Sequence, residues 1–341
     1  MKSYIIALSS LIAFSASSYA SLSIVEDTYV DPKDKTGNTY TTATTKVSGT
    51  GTVADFGSTL SYKSMWLNGA DITLNDSTKK LLITATNKDS GGLSVSKGSA
   101  WYDVVCQGSN KITVKDGGTI SLSASNGLTI YDSDGTSTLD LTIDSTAGDV
   151  SIRKVYINNG SMLTVNLHKV NALGAGSQLG SACGGKHLTV NMDCDQNVAL
   201  DFRAGTKNAF NITNGATMTV SGWGYIANGA TTSSIILADG LKNGSILFAN
   251  TSKYWSEDSW DEENSVFTVK AEVKEDGVVT GYKTMAISFV DENEEQLKNL
   301  SFSAVEGGWL LTGMQAVPEP AEWAMIFGAL ALGLAIYRRR K

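Results

Sequence analysis

The chain has 341 residues, with 34 glycines but only 3 prolines, and a formal net charge of −7. With its two terminal segments set aside, residues 21–317 carry about −10, which argues against nucleic acid or anionic lipid as a partner, because phosphate binding needs clustered Lys and Arg. That body is long enough for one large all-β domain, and with Pro32 its only proline, nearly every strand is free to pair on both edges.

At the front, Lys2, the apolar run Tyr4–Phe14 and the small-residue exit Ser18-Tyr19-Ala20 predict a secretory signal peptide over residues 1–20, removed by signal peptidase before Ser21. The alternative is an uncleaved N-terminal anchor, which a short apolar region broken by Ser9 and Ser10 disfavours. Residues 21–59 begin acidic and polar and become Thr-rich, and they read as an N-terminal cap.

From residue 60 to 250 the sequence is recurrent. Stretches starting at Asp71, Lys111, Lys154 and Ala209 read as versions of one unit: a short strand alternating apolar and polar residues, an Asn-Gly or Asp-Gly type corner, then a second alternating strand. Asn-Gly between alternating strands is a strong local signal for an antiparallel hairpin. It also suits the tight corner of a parallel β-solenoid. Related corners near Asp116, Asp134, Asn159, Asn214 and Asp239 favour coils of about 20 to 28 residues that bury a core only by stacking. Ile, Val, Leu, Met and Phe would then point inward, and Thr, Ser and Asn outward, with Asn or Thr ladders bonding along the stack. The pattern resembles the right-handed β-helix passengers of bacterial surface and autotransporter-like proteins. The fold class expected is therefore all-β: a right-handed parallel β-helix or β-solenoid with an antiparallel C-terminal cap and one C-terminal transmembrane helix.

Cys106, Cys183 and Cys194 permit at most one bridge within the chain. Cys183 with Cys194 is the nearer pair in sequence, leaving Cys106 over, while three buried thiols fit a stacked interior equally well.

Residues 251–316 read as the antiparallel cap, with a hairpin turning at Glu275-Asp276-Gly277 and later strands near Met285–Val290 and Leu300–Val305. Within the body, four constellations invite a chemical reading. Asp132-Ser133-Asp134-Gly135 with Asp140 offers oxygens for calcium, against a plain solvated turn. Cys183, His187 and Cys194 with Asp193 and Asp195 offer mixed donors, at a spacing that fits no closed zinc site. His168 stands alone on a predicted strand and reads as a hydrogen-bonded surface residue. Glu257, Asp258, Asp261, Glu262 and Glu263, interleaved with Tyr254, Trp255 and Trp260, read either as a sugar site or as a solvated loop whose tryptophans pack on the capping hairpin. No nucleophile motif or phosphate loop is present, and Arg153 and Arg203 are the body's only arginines. No catalytic residue, metal or cofactor is assigned, and the body is expected not to be an enzyme. The alternatives are a polysaccharide-active β-helix lyase or hydrolase, or a carbohydrate-binding module.

The last segment, residues 317–341, has three parts. Val317, Pro318, Glu319 and Pro320 form an extended strip that the prolines keep out of a helix. Trp323–Tyr337 is uncharged, about 22 Å long as a helix, and marginal against a hydrocarbon core of roughly 30 Å. Arg338, Arg339, Arg340 and Lys341 fix that end on the cytoplasmic side. This order resembles the PEP-CTERM sorting signal of bacterial exported proteins. The resemblance implies recognition of Pro318, Glu319 and Pro320 by exosortase, a membrane-embedded processing enzyme. It also implies transient anchoring through residues 323–337 and delivery to the cell envelope or an exopolysaccharide-rich biofilm matrix. An ordinary single-pass anchor is the alternative.

Overall fold

The computed structural model describes residues 22–31, 40–52, 60–62, 65–78, 80–83, 104–122, 128–131, 136–152, 154–157, 162–173, 178–181, 185–202, 206–223, 232–237, 241–249, 254–256, 258–276, 278–297 and 300–314. The signal peptide, the Val317–Pro320 strip, the segment 323–337 and the Arg338–Lys341 cluster lie outside these residues. So do Asp132–Gly135, Cys183 and Glu257.

Every described element is a strand. The chain opens with β1 (Ser23–Asp31), β2 (Tyr40–Thr52), β3 (Leu60–Tyr62), β4 (Met65–Leu74) and β5 (Lys80–Ile83). It continues through β6 (Val104–Gln107), β7 (Ser109–Val114), β8 (Thr119–Leu122), β9 (Leu128–Tyr131), β10 (Thr138–Ile143) and β11 (Val150–Ile152). Next come β12 (Lys154–Ile157), β13 (Met162–Leu167), β14 (Gln178–Ser181), β15 (Gly185–Met192), β16 (Gln196–Phe202) and β17 (Thr206–Ile212). β18 (Met218–Trp223), β19 (Thr232–Leu237) and β20 (Ile246–Ala249) precede the closing set, β21 (Trp260–Asp261), β22 (Val266–Glu275), β23 (Val278–Val290), β24 (Leu300–Val305) and β25 (Gly308–Met314).

Most strands pair in parallel with strands one coil away, which makes the fold β-helix-like. One ladder runs β2, β4, β7, β10, β13, β15, β17, β19, β23. A second runs from β4 through β6, β9, β12, β14, β16 and β18 to β20, and a third joins β3, β5, β8 and β11. The strands flanking each repeated corner do not pair with each other. β17 and β18, on either side of Asn214-Gly215, bond instead to β15 and β19 and to β16 and β20. The coil reading of these units therefore holds over the hairpin reading.

The alternation read in the sequence becomes a core. Ile72, Ile112, Leu141, Val165, Val190, Phe210 and Leu237 stand in register along the first ladder, all almost wholly buried. Burying a side chain of this size contributes roughly 1.5–3 kcal/mol, and no single coil could shield its own row. Corners are made by residues that accept positive φ: Asp116 and Gly117 at 50° and 79°, Asn214 and Gly215 at 54° and 75°. Beside the first of these, a Cβ on Gly118 would sit 1.9 Å from the Leu74 carbonyl oxygen, so the corner requires glycine.

Both ends of the stack are closed by antiparallel strands, as an open ladder demands. β1 covers β2 through the register Ser23–Ser48 to Asp31–Tyr40. At the other end β22 folds back on β23, and β25 lies on β20 with β24 outside it. Parallel stacking starts at Thr45, ahead of residue 60, and runs on into Ala286–Val290 of β23 beyond residue 250. An aromatic plug fills the closed end. Phe248 stacks on Phe267 at 4.0 Å and meets the rings of Trp255, Phe302 and Phe289 edge-on.

Candidate functional site: the outward polar ladder

Residues on the outer face of the first ladder also stand in register. Thr52, Thr73, Thr113, Thr142, Asn166, Asn191 and Asn211 form one row. The asparagines bond along it: Asn211 Nδ2 donates to Asn191 Oδ1 at 2.7 Å, and Asn191 Nδ2 to Asn166 Oδ1 at 2.7 Å. Asn166 Nδ2 then donates to Asp140 Oδ1 at 2.6 Å and Thr142 Oγ1 at 3.1 Å. Amides stacked at the strand repeat of about 4.8 Å satisfy one another and hold each side chain in a single orientation. The expected Asn and Thr ladder is thus present.

A second outward row runs beside it as Asp71, Lys111, Asp140, Thr164 and Thr189, alternating charge before turning neutral. The same row then becomes apolar at Ala209, Ile236 and Val290, which form a small buried cluster of their own. There the segment after β23 folds back, with Leu297 N–H donating to Phe289 O and Glu294 ion-paired to Lys207. The polar face therefore spans the coils from β2 to β17 and ends where the cap begins.

At the corner following this face, Asp144, His168 and Asp193 occupy successive coils, each N–H bonding to the strand below. His168 Nδ1 lies 2.9 Å from Asp193 Oδ2, so the lone histidine is a hydrogen-bonded surface residue as expected. The Asp144 carboxyl is held below its usual range, chiefly by the Thr146 backbone N–H, then by the Thr146 hydroxyl, with the nearby His168 adding to it. Partial burial pushes the Cys194 thiol up.

The other constellations do not assemble. His187 and Cys194 lie toward opposite ends of β15, and the five extended steps from His187 to Met192, at about 3.3 Å each, hold them apart. Asp195 is occupied in accepting the Thr217 N–H at 2.8 Å. Cys194 is a free thiol that receives a hydrogen bond from Gln196, and Cys183 lies outside the described residues. Among the described residues no three His, Cys, Asp or Glu side chains converge on a metal position. Asp140 belongs to the polar ladder.

The acidic, aromatic segment is also resolved against a sugar platform. Trp255 is 2% exposed, and its indole N–H donates to Ala249 O at 2.7 Å. Trp260 packs against Phe302 with ring centroids 5.0 Å apart. Trp255, inside the plug, offers no face to a glycan, and Tyr254 and Trp260 are half-buried against the core, while Asp258, Glu262 and Glu263 are solvated and Asp261 accepts from Asn264. The sequence reading missed Asn110, which ties three coils together; an Asn at an otherwise apolar inward position was the available signal.

No known protein family, curated protein or solved structure matches this chain.

Proposed function

We propose that this chain is an exported, non-enzymatic protein of the cell surface or extracellular matrix, adhesin-like in working through a long polar face instead of a pocket. The observation that supports it most is the Thr and Asn row in register from Thr52 to Asn211, bonded side chain to side chain across coils from Thr142 to Asn211. Such a row is a rigid, neutral array of donors and acceptors suited to a repetitive polar partner such as an exopolysaccharide. In this reading the coils wind right-handed, and signal peptidase removes residues 1–20. Residues 323–337 hold the chain in the membrane until an exosortase-type enzyme acts at Val317–Pro320, with Arg338–Lys341 inside. Among the described residues no helix is long and apolar enough to cross a membrane, and the proposed span lies outside them.

The test has two arms. Deleting residues 317–341 is expected to shift the protein from the envelope or matrix fraction to the medium or periplasm, and equal amounts at the same destination would end the sorting proposal. Glycan binding by the secreted body is measured alongside product analysis. Binding without new reducing or unsaturated ends supports the reading, whereas product formation makes the chain a polysaccharide-active enzyme.

A further inference from the structure

Three corners of the stack are closed by the same kind of four-residue turn. Residues 115–118, 213–216 and 242–245 each have the last N–H donating to the first carbonyl, at 2.8, 3.0 and 3.1 Å. The third place is glycine in all of them, at φ 79°, 75° and 85°. The second place holds Asp116, Asn214 or Asn243, each exposed.

The peptide joining the second and third residues takes no part in the bond that closes such a turn, so only its surroundings can hold it. At the first corner Gly117 N–H donates to Thr146 O, and at the last Gly244 N–H donates to Leu311 O, both at 2.8 Å. The middle corner differs. Among the described residues neither the Gly215 N–H nor the Asn214 side chain has a hydrogen-bond partner. A Cβ built on Gly215 would meet no heavy atom within 4 Å, and Gly215 is exposed where Gly117 and Gly244 are half-buried.

We propose that Asn214 is a site of spontaneous deamidation, selected by the fold from the described Asn-Gly pairs. The reaction is intramolecular. The Gly215 nitrogen, having lost its proton to hydroxide, attacks Asn214 Cγ, and the new C–N bond closes a succinimide ring as the Cγ–Nδ2 bond breaks and ammonia leaves. Water then opens the ring at either carbonyl, giving aspartate or isoaspartate, so one water is consumed for each ammonia released. A glycine nitrogen held in a hydrogen bond must give up that bond before it can lose its proton and turn toward Cγ, which protects Asn243. Asn68-Gly69, the remaining described pair, lies inside β4, with Asn68 opposite Gln107 of β6. Conversion to aspartate adds a negative charge at a corner where Asp195 already accepts the Thr217 N–H. Isoaspartate lengthens the main chain within a turn that the Ala216 N–H closes, and so loosens it.

The experiment incubates the full chain in mild detergent at mildly alkaline pH, folded and in urea. Peptide mapping by mass spectrometry follows the exchange of NH for O at each Asn-Gly pair. In the folded chain Asn214 is expected to convert roughly ten-fold or more faster than Asn243, because breaking a backbone hydrogen bond adds to the barrier at Asn243. In urea the two rates are expected to converge. Asp116→Asn places an asparagine in nearly the same backbone, φ 50° against 54°, but ahead of a glycine whose N–H is bonded. Position 116 is therefore expected to convert slowly when folded, and a thermal melt matching the parent confirms that this variant is folded. Conversion at Asn214 no faster than at Asn243, a difference that persists unchanged in urea, or conversion at position 116 as fast as at Asn214 would overturn the proposal. None of these outcomes depends on glycan binding or on the sorting tail.

Discussion

Asn110 Oδ1 accepts the backbone N–H of Ala70, 40 residues earlier, at 3.0 Å. The same side chain donates through Nδ2 to the carbonyls of Gln107, Gly108 and Thr138, so one buried amide ties its own corner to the coils on either side. Replacing it by Leu would strand the buried Ala70 N–H and remove a donor from the Gln107 and Thr138 carbonyls, while Gly108 O keeps the Thr138 N–H. Asn110→Leu is expected to cost about 2–3 kcal/mol, since an orphaned buried group costs roughly 1–3 kcal/mol and the Ala70 N–H becomes one. Chemical denaturation with an unchanged m-value checks this, and a loss below about 0.5 kcal/mol would show that the corner is held by other means.

The outward ladder predicts smaller effects. Asn191 stands between Asn166 and Asn211 and takes part in two amide bonds, so Asn191→Ala should cost about 1–2 kcal/mol at a net worth near 1 kcal/mol for each. Thr at the same place continues the row found at Thr142, Thr113 and Thr73 and should restore about half. A double-mutant cycle of Asn166 and Asn191 is expected to show coupling, and strict additivity would argue that the ladder carries no energy along the stack.

Acid titration should expose Asp144. Its folded-state pKa lies below that of the unfolded chain, so its contribution to stability is fully present above the ordinary carboxylate range. That contribution is lost as pH falls through about 4 toward the lower folded value. Thr146→Val removes the hydroxyl donor and keeps the backbone one, which raises the Asp144 pKa toward normal and flattens stability against pH in that window. Carboxyl chemical shifts followed by NMR read this directly. A midpoint unchanged by the substitution would assign the shift wholly to the backbone N–H.

In the plug, Trp255→Ala removes a buried ring and the hydrogen bond to Ala249, and it is expected to cost about 3–5 kcal/mol. The loss should appear first as faster amide exchange in β20 and β25, which this end seals, with the central coils protected for longer. Uniform loss of protection along the stack would show that the coils and cap unfold as one unit.

Gly118→Ala tests the corner in the opposite sense. The added methyl would lie 1.9 Å from the Leu74 carbonyl oxygen, a rigid backbone atom, so the two coils must separate. A loss of about 1–3 kcal/mol is expected by thermal or chemical melting, with a parent-like melt indicating that the corner has slack.

How far the fold was legible depends on how local each signal is. Alternation marks which face of a strand is buried whatever its partner, so the inward rows from Ile72 to Leu237 and the outward Thr and Asn row follow from the one-dimensional pattern. The antiparallel hairpin at Glu275–Gly277 is equally local. Coil length is less so, since bonded partners in neighbouring coils stand 40, 29, 24, 25, 20 and 27 residues apart and no fixed period exists to detect.

The candidate sites divide in the same way. Cys183, His187 and Cys194 look close along the chain because sequence distance ignores that a strand is extended, and the acidic, aromatic run looks like a sugar platform until Trp255 is found inside the core. Residues alone determined the β-rich, corner-punctuated character of the chain, through composition and period, which need no knowledge of neighbours. Tertiary structure alone decided that Asn214-Gly215 turns between coils and does not close a hairpin. Both outcomes use the same positive-φ backbone at that corner, and only the distant strands that β17 and β18 bond to distinguish them.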